Sequence, residues 1–147
     1  MDWMKVTVFV IGAVIYAVYA SEDLLRTFAM KRLAKKMGFA YLKKRLPEAL
    51  SVYGTPFNQR RFAWNVIEGE RNRIRVVLFD CQVGEGKDGW RRTVIAVKTG
   101  AGTFSAERFN AKLKVESSGG WLILYYPQEV KMGLTPAREV RAGLMGM

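Results

Sequence analysis

The sequence begins with an uncharged apolar run that few soluble folds accommodate. Residues 6–20 read VTVFVIGAVIYAVYA, fifteen positions without a charged side chain. In a helix that rises about 1.5 Å per residue, this run spans about 22 Å, which is short for a bilayer core. Trp3 and Met4 extend it if Lys5 turns its ammonium group back toward the headgroups. The run therefore predicts a membrane-spanning helix.

The residue types along this run are those of a membrane anchor. Aromatic side chains stand near both of its ends, where bilayer interfaces favour tryptophan and tyrosine. We expect the anchor to be formed by Trp3, Val6, Phe9, Ile11, Val14, Ile15, Tyr16 and Tyr19.

Two other interpretations of the run compete with an anchor. One is a cleaved signal peptide, in which Lys5 is the charged n-region and Val18-Tyr19-Ala20 supplies small residues at the cleavage site. The other is the buried core helix of a soluble protein, which an uncharged, β-branched run at the start of the chain disfavours.

A dense group of cations follows the run and bears on this choice. Between the end of the run and residue 45, the only acidic residues that offset these positive charges are Glu22 and Asp23. Positive flanks resist translocation, so we expect a single-pass protein of the inner (cytoplasmic) membrane with its N-terminus outside and its C-terminal domain in the cytoplasm. The residues expected to set this topology and contact lipid headgroups are Arg26, Lys31, Arg32, Lys35, Lys36, Lys43, Lys44 and Arg45.

Residues 21–37 continue in helix-forming types, and Gly38 predicts the helix end. At 100° per residue the cations at 31, 32, 35 and 36 gather on one face, and the apolar residues at 29, 30, 33, 34 and 37 on another. Such a helix either lies along the cytoplasmic leaflet, where each cation contributes about 1 kcal/mol of attraction to anionic lipid, or continues out of the membrane with a solvated charged face. We place the anchor and this helix in residues 1–37 and a cytoplasmic domain in residues 38–147.

Beyond residue 61 the pattern changes to period two and β-forming residues, which indicates strands. A hairpin is expected around Arg71-Asn72, and a second around Ser118-Gly119-Gly120, because paired glycines suit tight turns. Residues 84–89 (GEGKDG) predict a turn, and residues 103–111 a less regular stretch. The predicted strands are residues 62–70, 73–83, 90–99, 112–117 and 121–126.

Two helices are expected to flank the strands. Residues 46–50 (LPEAL) suit a short helix with Pro47 in its first turn. Thr135 and Pro136 predict the cap and first residue of a C-terminal helix that continues to about Leu144. The expected fold class is therefore α+β: a single transmembrane helix followed by a small antiparallel sheet of about five strands with flanking helices.

Three stretches of the chain carry a resemblance to a known group of proteins. They are LAKKMGFAYLKKRLP (residues 33–47), NVIEGERNRIRVVLFDC (residues 65–81) and ESSGGWLILYY (residues 116–126). In these stretches the chain resembles small bacterial membrane-anchored proteins of unknown function. The resemblance implies an anchor followed by a compact β-rich domain, and it brings no activity with it.

The composition argues against enzymatic chemistry. The chain has no histidine and one cysteine, Cys81, which we expect to be a small buried strand residue. Glu68, Glu70 and Asp80 are candidates for acid/base work on adjacent strands, but the arginines beside them favour surface ion pairs. We therefore predict no enzyme, with no catalytic, cofactor-binding or metal-binding residues and no cofactor.

The net charge of +11 predicts attraction to polyanions. Together with the anchor and the missing chemistry, it favours a non-catalytic accessory subunit of a larger bacterial membrane complex, for instance a respiratory or photosynthetic one. The expected partners are other membrane-protein subunits and anionic lipids. A free-standing lipid-binding adaptor is one alternative. A membrane-tethered nucleic-acid-binding domain, with Trp64, Trp90 and Trp121 as stacking residues, is another.

Overall fold

The computed structural model describes residues 3–84, 89–100, 112–127 and 133–146. Most of the turn predicted at residues 84–89, and the stretch predicted at residues 103–111, lie outside these residues.

One continuous helix, α1 (Trp3–Met37), contains both the apolar run and the basic segment that follows it. It ends as predicted at Gly38, whose φ is +70°. The Phe39 amide donates to the carbonyl of Ala34, and the Gly38 amide to the carbonyl of Lys35. This is the Schellman arrangement, in which a glycine adopts the left-handed conformation that other residues avoid, so α1 has a defined stop and the chain reverses direction there.

The two parts of α1 lie in different surroundings. Of residues 3–25, all but the partly covered Ala20 are exposed, and no residue of the helix's most apolar 18-residue window is buried. By length and composition the helix could cross a membrane, a test that a signal sequence also passes. Toward its C-terminal end, Met30, Leu33 and Ala34 are buried. The predicted boundary at residue 37 therefore falls after a segment that already packs into the domain.

Within the described residues, six strands form one antiparallel sheet in the order β1-β2-β3-β4-β6-β5. The strands are β1 (Ala40–Lys43), β2 (Ala63–Arg71), β3 (Ile74–Val83), β4 (Trp90–Lys98), β5 (Lys114–Ser118) and β6 (Trp121–Tyr125). A 3₁₀ turn (Arg60–Phe62) precedes β2, and helix α2 (Ala137–Met145) follows the sheet. The α+β class is confirmed, with one strand more than predicted.

Both predicted hairpins form. Gly119 and Gly120 have φ of 53° and 77°, which suits a two-residue turn of type I′. The β2–β3 turn is at Asn72 and Arg73, with φ of 49° and 65°, one residue later than predicted. The sheet register follows from these turns, pairing Arg71 with Ile74 and Ser118 with Trp121.

Three local predictions were wrong. Residues 46–50 form a turn and not a helix, closed by the Leu50 amide on the carbonyl of Pro47. The short strand β1 was missed, since four residues directly after a helix carry too little periodicity. At α2 the cap is Pro136 and no side chain caps the helix, so Thr135 does not have the predicted role.

Both faces of the sheet are covered, by different parts of the chain. On one face α1 and α2 contribute Met30, Leu33, Val140 and Leu144 to the core. On the other face an irregular segment between β1 and β2 provides the cover, with Leu46, Leu50, Val52 and Phe57. Strand β3 is buried on both sides, which explains its nearly unbroken apolar run.

Directly after the reversal at Gly38, the Phe39 ring packs closely against Gly69 of β2. A Cβ on Gly69 would overlap the Phe39 ring. We expect Gly69→Ala to lower the free energy of unfolding by about 1–3 kcal/mol, because overpacking forces side chains or backbone to shift. Thermal unfolding of the full-length chain measures this. Gly12→Ala is the matched control, since a methyl there meets nothing within 4 Å, and equal stability of the two variants would contradict the contact.

Candidate functional site

The centre of the structure is an ion pair between Arg26 of α1 and Asp80 of β3. Arg26 Nε donates to Asp80 Oδ2 at 2.9 Å and Nη2 donates to Oδ1 at 2.7 Å, so the contact is bidentate. The Asp80 side chain is fully buried, and that of Arg26 is 11% exposed. The pair joins residues 54 apart in sequence and fixes α1 to the middle of the sheet.

Side chains of the neighbouring strands donate the other hydrogen bonds that Asp80 accepts. The Thr93 hydroxyl donates to Oδ1 at 2.9 Å, and the Asn65 amide donates to Oδ2 at 3.0 Å. Each carboxylate oxygen thus accepts two hydrogen bonds. A buried charge with all its acceptor sites filled avoids the cost of an unpaired one.

Thr135 completes the Arg26 side of the network. Arg26 Nη1 donates to the Thr135 carbonyl at 2.7 Å, and the Thr135 amide donates to the Thr93 hydroxyl at 3.0 Å. The segment that leads into α2 is therefore tied to the same ion pair through its backbone, which is the role that Thr135 has in place of the predicted cap.

Asn65 connects this network to the surface. Its Oδ1 accepts hydrogen bonds from the Tyr41 hydroxyl at 2.8 Å and the Thr27 hydroxyl at 3.1 Å. Burial, and secondly the negative charge of Asp80, raise the pKa of Tyr41 above its ordinary value of 10.0. Tyr41 thus stays neutral and remains a hydrogen-bond donor at physiological pH.

Two irregularities lie side by side near Asn65. The β1–β2 register shifts between Tyr41 and Lys43, and the β2–β3 register shifts between Trp64 and Ile67. Lys43 and Asn65 have φ of 60° and 50°, which is uncommon for residues other than glycine. Bulges of this kind bend strands and re-aim side chains, and here they lie next to Lys43, Trp64 and Asn65.

An open cleft of about 600 Å³ lies at this place, between α1 and the ends of β1, β2 and β3. We call it the junction cleft. It is lined by Asp23 and Thr27 of α1, the cations Lys43, Lys44 and Arg91, the aromatic residues Tyr41, Phe62 and Trp64, and Ala63, Asn65 and Gln82.

Arg91 spans the cleft. Its Nη2 donates to Asp23 Oδ1 at 2.6 Å, and its guanidinium group lies 4.9 Å from the centre of the Trp64 ring. Both groups of the ion pair are well exposed, so the pair adds little to stability and can exchange partners easily. In chemical terms the cleft offers cations, hydrogen-bond donors and an aromatic wall, which suits an anionic group.

The predicted cations fall into three groups. Lys31, Arg32, Lys35 and Lys36 are exposed on α1 as expected, with the Lys31 ammonium group 5.5 Å from the centre of the Tyr41 ring, while the apolar face of the helix packs against the sheet. Lys43 and Lys44 line the junction cleft, and Arg45 is exposed next to them. Arg26 forms the third group by itself. It is paired with the buried Asp80, so its charge is not available to lipid headgroups.

The predicted anchor residues are all exposed, from Trp3 to Tyr19. They share the outward surface of the first part of α1, and none contributes to the two core clusters of the domain within the described residues.

The acidic residues considered for acid/base work do not come together. Asp80 lies on the helix-covered face of the sheet with Leu78, whereas Glu68 lies on the other face, opposite Val77. Arg75 donates from Nε to Glu68 Oε1 at 2.6 Å, the cross-strand ion pair that the sequence favoured. Cys81 is buried, as predicted, and burial, with Asp80 as the lesser cause, raises the pKa of its thiol to about 12.

The three strand tryptophans do not form one stacking surface. Trp121 is fully buried and donates its indole N–H to the Ala49 carbonyl at 2.9 Å. Trp90 packs against the same core, while Trp64 lies in the junction cleft. The arrangement thus provides a single aromatic wall and no continuous face for successive bases.

Comparisons with protein-family models, with curated proteins and with solved structures give no match to this chain. Within the described ranges, no group of three or more His, Cys, Asp or Glu is placed to hold a metal ion. The resemblance to small bacterial membrane-anchored proteins stays a prediction.

Sequence reasoning missed the network of Asn65, Thr93 and Thr135 and the position of Arg91. One signal was present: Asp80 interrupts an apolar strand, VVLFDCQV, and a carboxylate in such a run needs a buried partner. Nothing in the sequence identified that partner, because Arg26 lies 54 residues away.

The ion pair predicts a strong coupling between its two residues. Arg26→Met or Asp80→Asn alone should each cost about 3–5 kcal/mol, because the remaining buried group loses its partner. The double variant should cost much less than the sum. Chemical unfolding of the full-length chain in neutral detergent measures the cycle. Arg75→Met at the more exposed Glu68 pair is the control, with an expected cost of about 0–1 kcal/mol; additive costs at Arg26 and Asp80 would contradict the coupling.

Proposed function

We propose that this chain is a single-pass membrane protein whose helix α1 crosses the inner membrane, with the N-terminus outside and the sheet domain in the cytoplasm. The length of the exposed apolar part of α1 supports this proposal. Residues 3–20, up to the end of the uncharged run, are 18 residues, or about 27 Å of helix, against about 30 Å for a bilayer core. A helix satisfies its own backbone hydrogen bonds, so its uncovered apolar surface suits lipid.

The observation that carries the functional proposal is that α1 enters the domain without a break. No linker separates residue 25 from the packed residues that follow, and Arg26 is locked to Asp80 one residue later. A domain held in this way keeps one orientation relative to the membrane. Proteins that search for distant partners use flexible tethers instead.

This geometry favours a non-catalytic accessory subunit of a larger membrane complex, acting by contact. The exposed apolar surface of α1 continues past Glu22 and Asp23, since Leu24, Leu25 and Phe28 stay exposed by 60–68%. An uncovered patch of this kind just outside the membrane core suits the surface of a neighbouring subunit. Bacterial respiratory or photosynthetic complexes are the expected class of partner.

The topology can be tested with cysteine labelling, because Cys81 is buried and weakly ionised. We expect Met4→Cys to react with a membrane-impermeant maleimide in intact cells or spheroplasts, and Glu48→Cys to react only after permeabilisation. The unaltered chain, with Cys81 alone, is the control. Labelling of Glu48→Cys from outside would contradict this topology, and loss of residues 1–20 from the mature chain would establish the signal-peptide alternative.

The accessory role predicts a partner that purifies with the chain. In mild detergent the protein should migrate well above its own 16.7 kDa plus micelle, and mass spectrometry should identify the same subunit reproducibly. Leu25→Glu with Phe28→Glu should release this partner while the chain stays in the membrane, since two buried charges oppose the contact.

Tyr53→Ser is the matched control, as it alters an exposed aromatic residue near Ser118, at the far end of the sheet from the junction cleft. Migration of the unaltered chain alone, in every mild detergent tried, would rule out the accessory role.

A further inference from the structure

The junction cleft lies where α1 leaves its exposed apolar part. Gly38 reverses the chain, and β1 then runs back along the helix it has just left. Its last residue, Lys43, and the following Lys44 consequently lie near Asp23 and Thr27, which precede them by about 20 residues in the sequence. The fold therefore places two lysines, which follow the C-terminal end of α1 in sequence, beside the part of α1 that comes directly after the apolar run.

The α1 wall of the cleft begins within the headgroup layer of a bilayer and ends just below it. This layer adds about 5–8 Å to each side of the hydrocarbon core. Asp23 follows Ala20, the last residue of the uncharged run, by three residues, or about 4.5 Å of helix, and Thr27 follows it by about 10 Å. The cations on the outer face of α1, at residues 31–36, lie about 16–24 Å beyond Ala20 and thus below this layer.

The cleft also has the charge that an anion requires. Among the residues that the structure describes, three cations and one carboxylate line it, which gives it a formal charge of +2. Among the described residues Lys43 and Lys44 have exposed side chains without a carboxylate partner. Arg91 lies over the Trp64 ring and donates to the exposed Asp23, so its guanidinium group is held in the cleft by contacts that an anion can replace.

The walls of the cleft suit a headgroup more than a small ion. Trp64, Phe62 and Tyr41 give it an apolar and aromatic side, and tryptophan and tyrosine favour the bilayer interface. Its volume of about 600 Å³ exceeds that needed for a single phosphate. A phosphate esterified to a diacylglycerol has both an anionic group for the cations and an apolar part for the aromatic side.

We propose that the junction cleft binds the phosphate group of an anionic phospholipid in the cytoplasmic leaflet, with Lys43, Lys44 and Arg91 as its ligands. This proposal rests on the membrane topology proposed above. The phosphate takes the place of Asp23 as one partner of Arg91, and the two lysine ammonium groups neutralise its charge. Lipid bound there would hold the domain against the leaflet on the side of the helix that faces β1 and β2.

The test uses the full-length chain in neutral-detergent micelles, titrated with phosphatidylglycerol or with phosphatidylcholine of the same acyl chains. Native mass spectrometry counts the bound lipid. We expect one tightly bound phosphatidylglycerol and no comparable site for phosphatidylcholine. Lys43→Gln with Lys44→Gln should weaken binding about 25-fold, since each cation contributes about fivefold, whereas Lys43→Arg with Lys44→Arg should retain it.

Lys35→Gln with Lys36→Gln is the matched control, because it removes the same charge from an adjacent, exposed lysine pair that does not line the cleft and begins about 12 Å beyond Thr27 along α1. An equal loss in this control would overturn the proposal, since it would show attraction by net charge alone. Unaltered lipid binding in Lys43→Gln with Lys44→Gln would overturn it as well. Thermal unfolding verifies that each variant is folded, and Lys44→Gln alone, at an exposed position outside β1, provides a second variant.

Two competitors distinguish the sources of phosphate. Inorganic phosphate and a single-stranded oligonucleotide should displace the lipid only weakly, and displacement by either one at concentrations near that of the lipid would overturn the assignment to lipid. Failure of the membrane topology itself is seen separately, by maleimide labelling in cells. Lipid counting in micelles and labelling in cells therefore fail independently.

Discussion

One buried ion pair organises the structure. Asp80 lies in the middle of the most buried strand, and a carboxylate at that depth is costly unless it is paired and fully hydrogen-bonded. Arg26 supplies the charge, and Asn65, Thr93 and Thr135 satisfy the remaining groups. Since these residues come from α1, β2, β4 and the segment before α2, and Asp80 comes from β3, the pair determines how five parts of the chain meet. Apolar packing of Met30 and Leu33, about 1.5–3 kcal/mol for each side chain, then secures the same arrangement.

Because of this ion pair, the apolar part of α1 is rigidly connected to the sheet domain. A hydrophobic helix followed by a flexible linker would only confine the domain to the neighbourhood of a membrane. Here the helix is continuous, and its packed end begins where its exposed part stops. The end of the sheet that carries Lys43, Lys44 and Arg91 is thereby set at a fixed height relative to the uncharged run. The proposals of a contact-making subunit and of a phosphate-binding cleft both depend on this rigidity.

The elements with strong local signals were predictable. Residues 119 and 120 require a tight turn whatever surrounds them, and Gly38 marks the end of α1 because the left-handed conformation there excludes most other residues. Strand β1 and the turn at residues 46–50 were mispredicted for the opposite reason. Four residues have no clear period, and Leu46 and Leu50 point into the core of the sheet, so their apolar character reflects tertiary cover and not helix formation.

The sequence by itself determined that a long helix begins the chain, that cations follow its apolar part, and that an antiparallel sheet comes next, because these features rest on local periodicity and composition. Only the tertiary structure decided where each cation lies and which group it contacts. Arg26 became the partner of a buried carboxylate, the four cations on the outer face of α1 were placed away from the apolar run, and Lys43 and Lys44 were returned to it. The physical reason is that the sequence pattern around a charged residue does not identify its partner. The residues that form an ion pair or a cleft come together only when the strands pair in register and the helix packs on the sheet.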